Sequence, residues 1–212
     1  FVSDINTRLP GIMELEYEGY YPRGIFVSVK EADYGAKKKY ALISEDGSVK
    51  IKGFETVRRN WSRVAKSVQE EVLRIILSDN DSQKALDYTK RIIEMLRKNK
   101  VGLDSVVIQT QLQKEVGRYD AVGPHVAVAQ KMMQKGMNVG PGTIIRFIIT
   151  KSGDKIRDKA RLPEDVEQVD YDPEYYINHQ VFPAVDKIFE ILGFGKEDIL
   201  LRKDQSKLEQ FL

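Results

Sequence analysis

After a helix end predicted in the first ten residues, residues 12–53 alternate apolar and polar positions in a way that predicts β-strands. Met13, Leu15 and Tyr17 alternate with glutamates, which is the period-2 pattern of a half-buried strand. Together with the turn signals, the pattern predicts an antiparallel meander with strands at residues 13–21, 24–29, 37–43 and 49–51. So small a sheet is marginal by itself, so we expect either the helical half or another chain to cover it.

From residue 56 onward the apolar positions follow helical spacing instead. The pattern predicts short β segments at residues 106–110 and 143–150, and helices at residues 56–77, 82–98, 122–135 and 173–192. We expect Trp61 to lie in the core at the first turn of the first of these helices, and the last helix to bend at Pro183. The predicted fold class is therefore α+β, with an antiparallel meander followed by a mainly helical domain.

Composition narrows the chemistry that the chain can perform. Its 212 residues include no cysteine and only two histidines, His125 and His179. Thiol nucleophiles, zinc ribbons and iron–sulfur clusters are therefore excluded. No Walker loop, G-x-G-x-x-G motif or G-x-S-x-G elbow occurs. Because no apolar run is long enough for a membrane span and the N terminus lacks a signal-peptide layout, we expect no membrane partner and a cytoplasmic location.

The net charge of +2 conceals an uneven distribution. Residues 30–163 carry 27 basic and 16 acidic side chains, a net charge of +11. The flanking residues 1–29 and 164–212 carry net charges of −2 and −7. A basic block of this size is typical of a polyanion binder, and a solvated surface of mixed charge is the alternative.

Several stretches of the chain, taken together and in order, resemble the C-terminal part of archaeal B-family DNA polymerases. They are INTRLPG, MELEYEGYYPRGIFV, KKKYALI, KGFETVRRNW, YDAVGPHVAVAQK and DPEYYINHQVFPAVDKIFEILGF. The KKKY and VRR-x-W blocks at this spacing are specific, and the resemblance covers nearly the whole chain. It implies that residues 1–54 complete a palm domain, that residues 55–203 form a thumb domain, and that residues 204–212 form a clamp-binding tail.

The resemblance also implies which residues bind primer–template DNA. Lys38 and Tyr40 would lie on the minor-groove side of the last primer pairs, where all base pairs present acceptors. His125 is either a phosphate donor or a packed structural histidine. The remaining DNA-binding residues that the resemblance implies are Arg58, Arg59, Tyr119, Gly123, Pro124 and His125.

The catalytic centre of the family is only partly represented. Polymerisation in the family uses two aspartates of a D-T-D hairpin that bind two magnesium ions, and this β region contains no such hairpin. The resemblance therefore implies that the chain alone holds no metal and is inactive. A partner would bind most of the Mg²⁺, and deoxynucleoside triphosphates would be substrates of the complex. Glu16 is the one carboxylate implied to lie near the metals; an ordinary exposed strand residue is the alternative.

The missing parts also imply a partner. The chain most resembles the small subunit of a split, two-gene polymerase, whose large subunit carries the exonuclease, the fingers and the catalytic aspartates. Two alternatives remain at this stage. One is a fragment of a single-chain polymerase, and the other is a non-catalytic DNA-binding or clamp-adaptor module.

The last residues carry one further pattern. Gln205, Leu208, Phe211 and Leu212 have the spacing of a box that binds the sliding clamp. One helical turn would place the three apolar side chains on one face, as an anchor for a groove. A tail that folds back onto the thumb is the alternative.

Overall fold

The structure is a computed structural model that describes residues 1–28 and 35–200, with the backbone alone at residues 28, 35–38 and 57. The fold is α+β, as predicted. The strands are β1 (Arg23–Ser28), β2 (Gly35–Ile43), β3 (Val49–Lys52), β4 (Ile108–Gln111), β5 (Ile144–Ile149) and β6 (Ala160–Arg161). The helices are α1 (Val2–Asn6), α2 (Arg63–Asp79), α3 (Ser82–Arg97), α4 (Leu103–Val106), α5 (Pro124–Gln134), α6 (Ile156–Lys159), α7 (Pro173–Tyr176), α8 (Phe182–Ile191) and α9 (Lys196–Leu200). Among these helices, none is both long and apolar enough to cross a membrane.

The first sheet is antiparallel and has the strand order β1-β2-β3. Three of the four strands predicted for the meander are thereby confirmed. Tyr40 in the central strand lies opposite Phe26 of β1 and opposite Lys52 of β3. Ala41 and Ile43, on the other face of β2, are buried together with Val27. Helix α2 contacts both β1 and β2, so the helical half of the chain covers this face.

The strand predicted at residues 13–21 is wrong. This segment has no strand pairing with any described residue, and every residue of it except the last is exposed. Asn6 anchors the middle of this segment. Its side chain accepts the Leu15 N–H at 2.8 Å and donates to the Leu15 carbonyl at 3.0 Å. A strand is stabilised by a neighbour that satisfies its backbone groups and by a layer that covers its apolar face. Among the described residues, neither a neighbouring strand nor a covering layer lies against residues 13–21, so the alternating pattern alone does not make a strand.

The first long helix begins later than predicted. A 3₁₀ turn covers Glu55–Val57, and α2 itself begins at Arg63 with Ser62 as its N-cap. Trp61 therefore precedes the helix instead of lying in its first turn, although it is partly buried against the core as expected. The helix ends at Asp79, and its C-cap residue Asn80 has a left-handed φ of 52°.

The distortion expected at Pro183 takes the form of a wide helical turn. Proline has no backbone N–H, so Pro183 cannot donate to the carbonyl of residue 179. Just before it, a π-helical turn covers Ile177–Val181, and the Phe182 N–H donates to the Ile177 carbonyl. Helices α7 and α8 thus follow one path joined by this turn. The buried faces of α2 and α8 pack against each other in the core.

The second sheet lies within the helical half and has the order β4-β5-β6. Ile145, Phe147 and Ile149 of β5 are buried, and α5 packs against this strand. Arg146 points to the opposite, exposed side, where Gln109 of β4 lies directly across from it. This sheet therefore contributes a polar surface next to the beginning of α2.

Candidate nucleic-acid interface

A basic cleft lies where the second sheet meets the first turn of α2. It has a volume of about 370 Å³. Its walls are formed by Arg59, Trp61, Arg63 and Lys66 from one side, and by Asp104, Val107, Gln109 and Arg146 from the other. We call this site the basic cleft. Four of its eight lining side chains are cations and one is an anion, so its local charge is strongly positive.

The four cations of the basic cleft, which are Arg59, Arg63, Lys66 and Arg146, are available to a ligand. Within residues 1–28 and 35–200, none of the four makes a side-chain hydrogen bond or an ion pair, in contrast to Arg74 and Arg97, which both pair with glutamates. Unpaired cations on converging walls concentrate positive potential in the space between them. The cleft is therefore suited to a polyanion.

The beginning of α2 adds backbone donors to the same place. The Ser62 side chain makes no capping hydrogen bond to the first turn of the helix. Instead, the Ser62 backbone N–H donates to the buried Gln180 side chain at 2.7 Å. First-turn N–H groups without a side-chain cap carry partial positive charge, which favours anions. The cleft cations and the helix dipole therefore both favour an anionic ligand.

The two neighbouring arginines predicted from the sequence occupy different surroundings. Both are exposed in the link between the Glu55–Val57 turn and α2. Arg59 lines the basic cleft, whereas Arg58 does not. The sequence reasoning missed Arg63, Lys66 and Arg146. One signal was available for Arg146, because it is the only charge inside the apolar run TIIRFIIT.

A second group of predicted residues meets at the beginning of α5. The Tyr119 hydroxyl accepts the backbone N–H of Gln113 at 2.8 Å, and its ring meets the His125 ring edge-on at 5.6 Å between centroids. Gly123 is the N-cap and Pro124 the first residue of the helix. A Cβ on Gly123 would lie 3.3 Å from the His125 ring, so a larger residue here would have to push this ring slightly aside. The structure therefore brings Tyr119, Gly123, Pro124 and His125 together.

His125 is half-buried in this group. Burial lowers the pKa of its imidazole below the usual 6.5, because the charged form loses hydration. The side chain is therefore mainly neutral at pH 7. A neutral imidazole can still donate one hydrogen bond to a phosphate, but it contributes no charge to that contact.

The KKKY block lies in β2, and its described side chains divide between the two faces of the sheet. The Lys39 ammonium points toward the helices and lies 3.2 Å from the Glu55 carboxylate. Tyr40 lies on the other face, where its ring is 5.9 Å from that of Phe26. Phe26 is 65% exposed and was not predicted as a functional residue. The Lys38 side chain lies outside the described atoms, as do the tail residues Gln205, Leu208, Phe211 and Leu212.

The described carboxylates do not form a magnesium site. Glu16 is exposed in the segment that precedes β1. In the part of the chain that the structure describes, no three histidine or acidic side chains group closely enough to hold a metal ion. Because two-metal catalysis needs carboxylates that converge on both ions, Glu16 by itself does not fit a two-metal centre.

The chain matches one protein family over most of its length. The family model for DNA polymerase family B matches residues 2–192. The chain belongs to this family. The resemblance of its sequence blocks to B-family polymerases is thereby confirmed at the level of the family.

Individual members of family B show how extensive the similarity is. The chain is 44% identical over 201 residues to a DNA polymerase of Thermococcus aggregans, and 42% identical over 211 residues to one of Methanocaldococcus jannaschii. These alignments cover 94% and 100% of the chain, but only 11% and 12% of the two relatives. For a DNA polymerase of Thermococcus gorgonarius, 41% identical over 205 residues, the shares are 96% and 26%.

A solved structure supports the same assignment. The family B DNA polymerase from the hyperthermophilic archaeon Pyrobaculum calidifontis superimposes with a TM-score of 0.70 and 30% sequence identity. The superposition covers 92% of this chain and 24% of that protein. The chain thus corresponds to a minor part of each of these larger polymerases.

Proposed function

We propose that this chain is the palm-end and thumb part of a family B DNA-directed DNA polymerase and that it grips primer–template duplex DNA during replication. In this proposal residues 1–54 complete the palm, residues 55–203 are the thumb, and residues 204–212 bind a sliding clamp. The observation that carries the proposal is the basic cleft, whose four cations have no side-chain partner in the part of the chain that the structure describes. Family membership supplies the nature of the polyanion.

The cleft has the chemistry that duplex DNA requires. Double-stranded DNA carries one negative charge per ~1.7 Å of helix axis, so a protein that binds it without sequence preference relies on phosphate contacts. Guanidinium groups such as Arg59, Arg63 and Arg146 can donate two parallel hydrogen bonds to one phosphate. The unpaired N–H groups at the beginning of α2 favour the same ligand. None of these donors distinguishes one base from another. Such binding without sequence preference is what a polymerase requires.

We assign the remaining DNA contacts to the residues implied by the sequence. Arg58 and the group formed by Tyr119, Gly123, Pro124 and His125 would extend the phosphate track. Lys38 and Tyr40 would contact the primer end from strand β2. Because Lys39 is engaged with Glu55, it is not available for this role.

The rest of the active site must come from polypeptide beyond these 212 residues, and we propose a large subunit of a split polymerase as its source. Two observations support a partner for the palm. The described carboxylates do not form a two-metal centre. In addition, the segment before β1 exposes Met13, Leu15 and Tyr17, and no strand of residues 1–28 or 35–200 pairs with it. We propose that this segment pairs with the palm sheet of the partner, which would bring Glu16 toward the Mg²⁺ ions and the nucleotide. The chain alone is then inactive.

A fragment of a single-chain polymerase is the second candidate. The observation that favours it is that the chain matches only 11% to 26% of the relatives compared above. Both candidates give the chain the same contacts with DNA. They differ in whether the remaining polymerase is a separate gene product.

The DNA-binding part of the proposal is tested with the 212-residue chain and a fluorescently labelled primer–template duplex. We expect the double variant Lys66→Ala, Arg146→Ala to bind more weakly than the native chain in an anisotropy titration. Lys98→Ala is the matched control, because Lys98 is an exposed cation paired with Glu94 outside the cleft. Equal affinity of the native chain and the double variant would refute the assignment of the cleft.

The subunit part is tested by primer extension. The chain is mixed with a large subunit that carries the catalytic aspartates, in the presence of Mg²⁺ and deoxynucleoside triphosphates. We expect extension only when both chains are present. Extension by the large subunit that does not change on addition of this chain would refute the subunit proposal.

A further inference from the structure

A buried polar network joins strand β2 to the helical half of the chain. The Lys39 ammonium lies 3.2 Å from Glu55 Oε1, and Glu55 Oε2 accepts a hydrogen bond of 2.7 Å from the Gln69 amide. The same Gln69 amide group also donates to the Ala184 carbonyl, and its oxygen accepts the Thr56 N–H at 3.1 Å. We call these five residues the junction network. They come from β2, the 3₁₀ turn, α2 and α8.

The network is placed where alternatives for its polar groups are scarce. Gln69 is completely buried, and Glu55 is 7% exposed. A buried amide or carboxylate that loses its partner has no water to replace it, so each member holds the others in place. Gln69 connects Glu55 and Thr56 on one side to Ala184 on the other. The result is a cross-link between elements that are more than a hundred residues apart in sequence.

The position of the network relative to the proposed DNA contacts gives it a function. Lys39 lies between Lys38 and Tyr40 in β2, so fixing Lys39 fixes the strand that carries the primer-end contacts. Glu55 and Thr56 lie just before Arg59, and Gln69 lies on the same helix as Arg63 and Lys66. One network therefore touches both the element that bears the primer-end residues and the element that bears the basic cleft.

We propose that Glu55 and Gln69 are positioning residues that hold strand β2 at a fixed distance and orientation from the basic cleft. The DNA consequence of this inference rests on the proposed function. When the two surfaces are held rigidly, one duplex can contact both without paying the entropy of ordering them. When the network is broken, the surfaces move relative to each other and the duplex must order them on binding.

The native chain contains no cysteine, so the positioning role can be measured directly with spin labels. Glu45→Cys places one label on the turn between β2 and β3, and Glu164→Cys places the other in the helical half, at exposed positions outside the basic cleft. Double electron–electron resonance then gives the distribution of distances between them without DNA. We expect one narrow distribution in the native background and a broadened one with Gln69→Leu.

Two further variants keep the test decisive. Glu55→Gln retains an oxygen for Gln69 but loses the charge that attracts Lys39, and we expect it to broaden the distribution even if Gln69→Leu does not fold. Glu71→Gln is the matched control, because Glu71 lies on α2 but pairs at the surface with Arg74. We expect no change from this variant. A narrow, unshifted distribution in folded Glu55→Gln would overturn the positioning role.

A DNA titration of the unlabelled variants completes the experiment. We expect Glu55→Gln to weaken binding to a primer–template duplex several-fold and Glu71→Gln to leave it unchanged. A broadened distance distribution with native affinity would overturn the role of the network in DNA binding. A native chain that does not bind DNA would instead refute the proposed function, and the distance measurement would still decide whether the network positions β2.

Discussion

The number of phosphates that the proposed interface holds can be measured through the salt dependence of DNA binding. Each phosphate that a cation neutralises contributes a slope of about −0.9 to a plot of log affinity against log salt concentration. If all four cleft cations contact phosphates, they contribute about −3.6 to the slope. Between about 50 and 200 mM salt, this share alone weakens binding by about 150-fold.

Single substitutions test each contact separately. We expect Arg59→Ala, Lys66→Ala or Arg146→Ala to flatten the slope by about 0.9 each, and the double variant Lys66→Ala, Arg146→Ala by about 1.8. The effects should add if the two residues contact separate phosphates, because neither has a partner among the described residues and they are borne by different elements. Each slope is measured by anisotropy titration of one labelled duplex over a series of potassium chloride concentrations.

The control and the refuting result are equally specific. Lys98→Ala removes the same charge from the surface at the C-terminal end of α3, outside the cleft, so its slope should equal that of the native chain. If the three cleft variants keep the native slope, these cations do not contact phosphate and the proposed interface is wrong. If Lys98→Ala flattens the slope as much as they do, the effect is one of overall charge and not of the cleft.

Three further predictions concern other parts of the chain. In the reconstituted polymerase, Lys38→Ala should slow extension from a primer end more than it weakens duplex binding, and equal losses in both assays would contradict a primer-end role. Deletion of residues 205–212, or Phe211→Ala combined with Leu212→Ala, should abolish clamp-stimulated synthesis while sparing clamp-independent synthesis; a 205–212 peptide that shows no calorimetric binding to the clamp would refute this. Because burial lowers the pKa of His125, the unfolded chain binds a proton that the folded chain does not, so stability should decrease as the pH falls below about 6.5. His125→Gln should lose this part of the pH dependence in urea unfolding between about pH 5.5 and 7.5, and an unchanged dependence would show that other groups cause it.

Local sequence patterns were sufficient to predict the elements whose stabilising contacts come from residues nearby in the sequence. Strands β1, β2 and β3 follow one another with short connections, so alternation and turn residues were sufficient. Helix α3 could also be predicted from the local sequence, because its N-cap Asp81 accepts the Lys84 N–H at 2.8 Å. The strand predicted at residues 13–21 has the same alternation, but no strand lies beside it among the described residues, and it does not form. Periodicity reports which face of a segment is apolar, whereas a strand also depends on what lies beside it.

The site was predictable only in part, for a similar reason. Arg59 was found through a short motif that resembles a known family. Lys66 and Arg146 lie 80 residues apart, and only the packing of the second sheet against the beginning of α2 brings them to one cleft. Likewise, Glu55 reads as an ordinary acidic residue in the sequence, although it is buried and pairs with Lys39. Such long-range pairings leave no local signal in a single sequence.

The segment before β1 has a consequence for how the chain behaves in solution at high concentration. An exposed run of alternating apolar residues that is not part of a sheet is a template for pairing with another copy of itself, and hence for aggregation. Here the alternate positions are Glu14, Glu16 and Glu18. Parallel in-register pairing of two copies would set like charges side by side, and antiparallel pairing centred on Glu16 would do the same. The glutamates therefore disfavour self-association at neutral pH but do not prevent pairing with a strand of a different sequence.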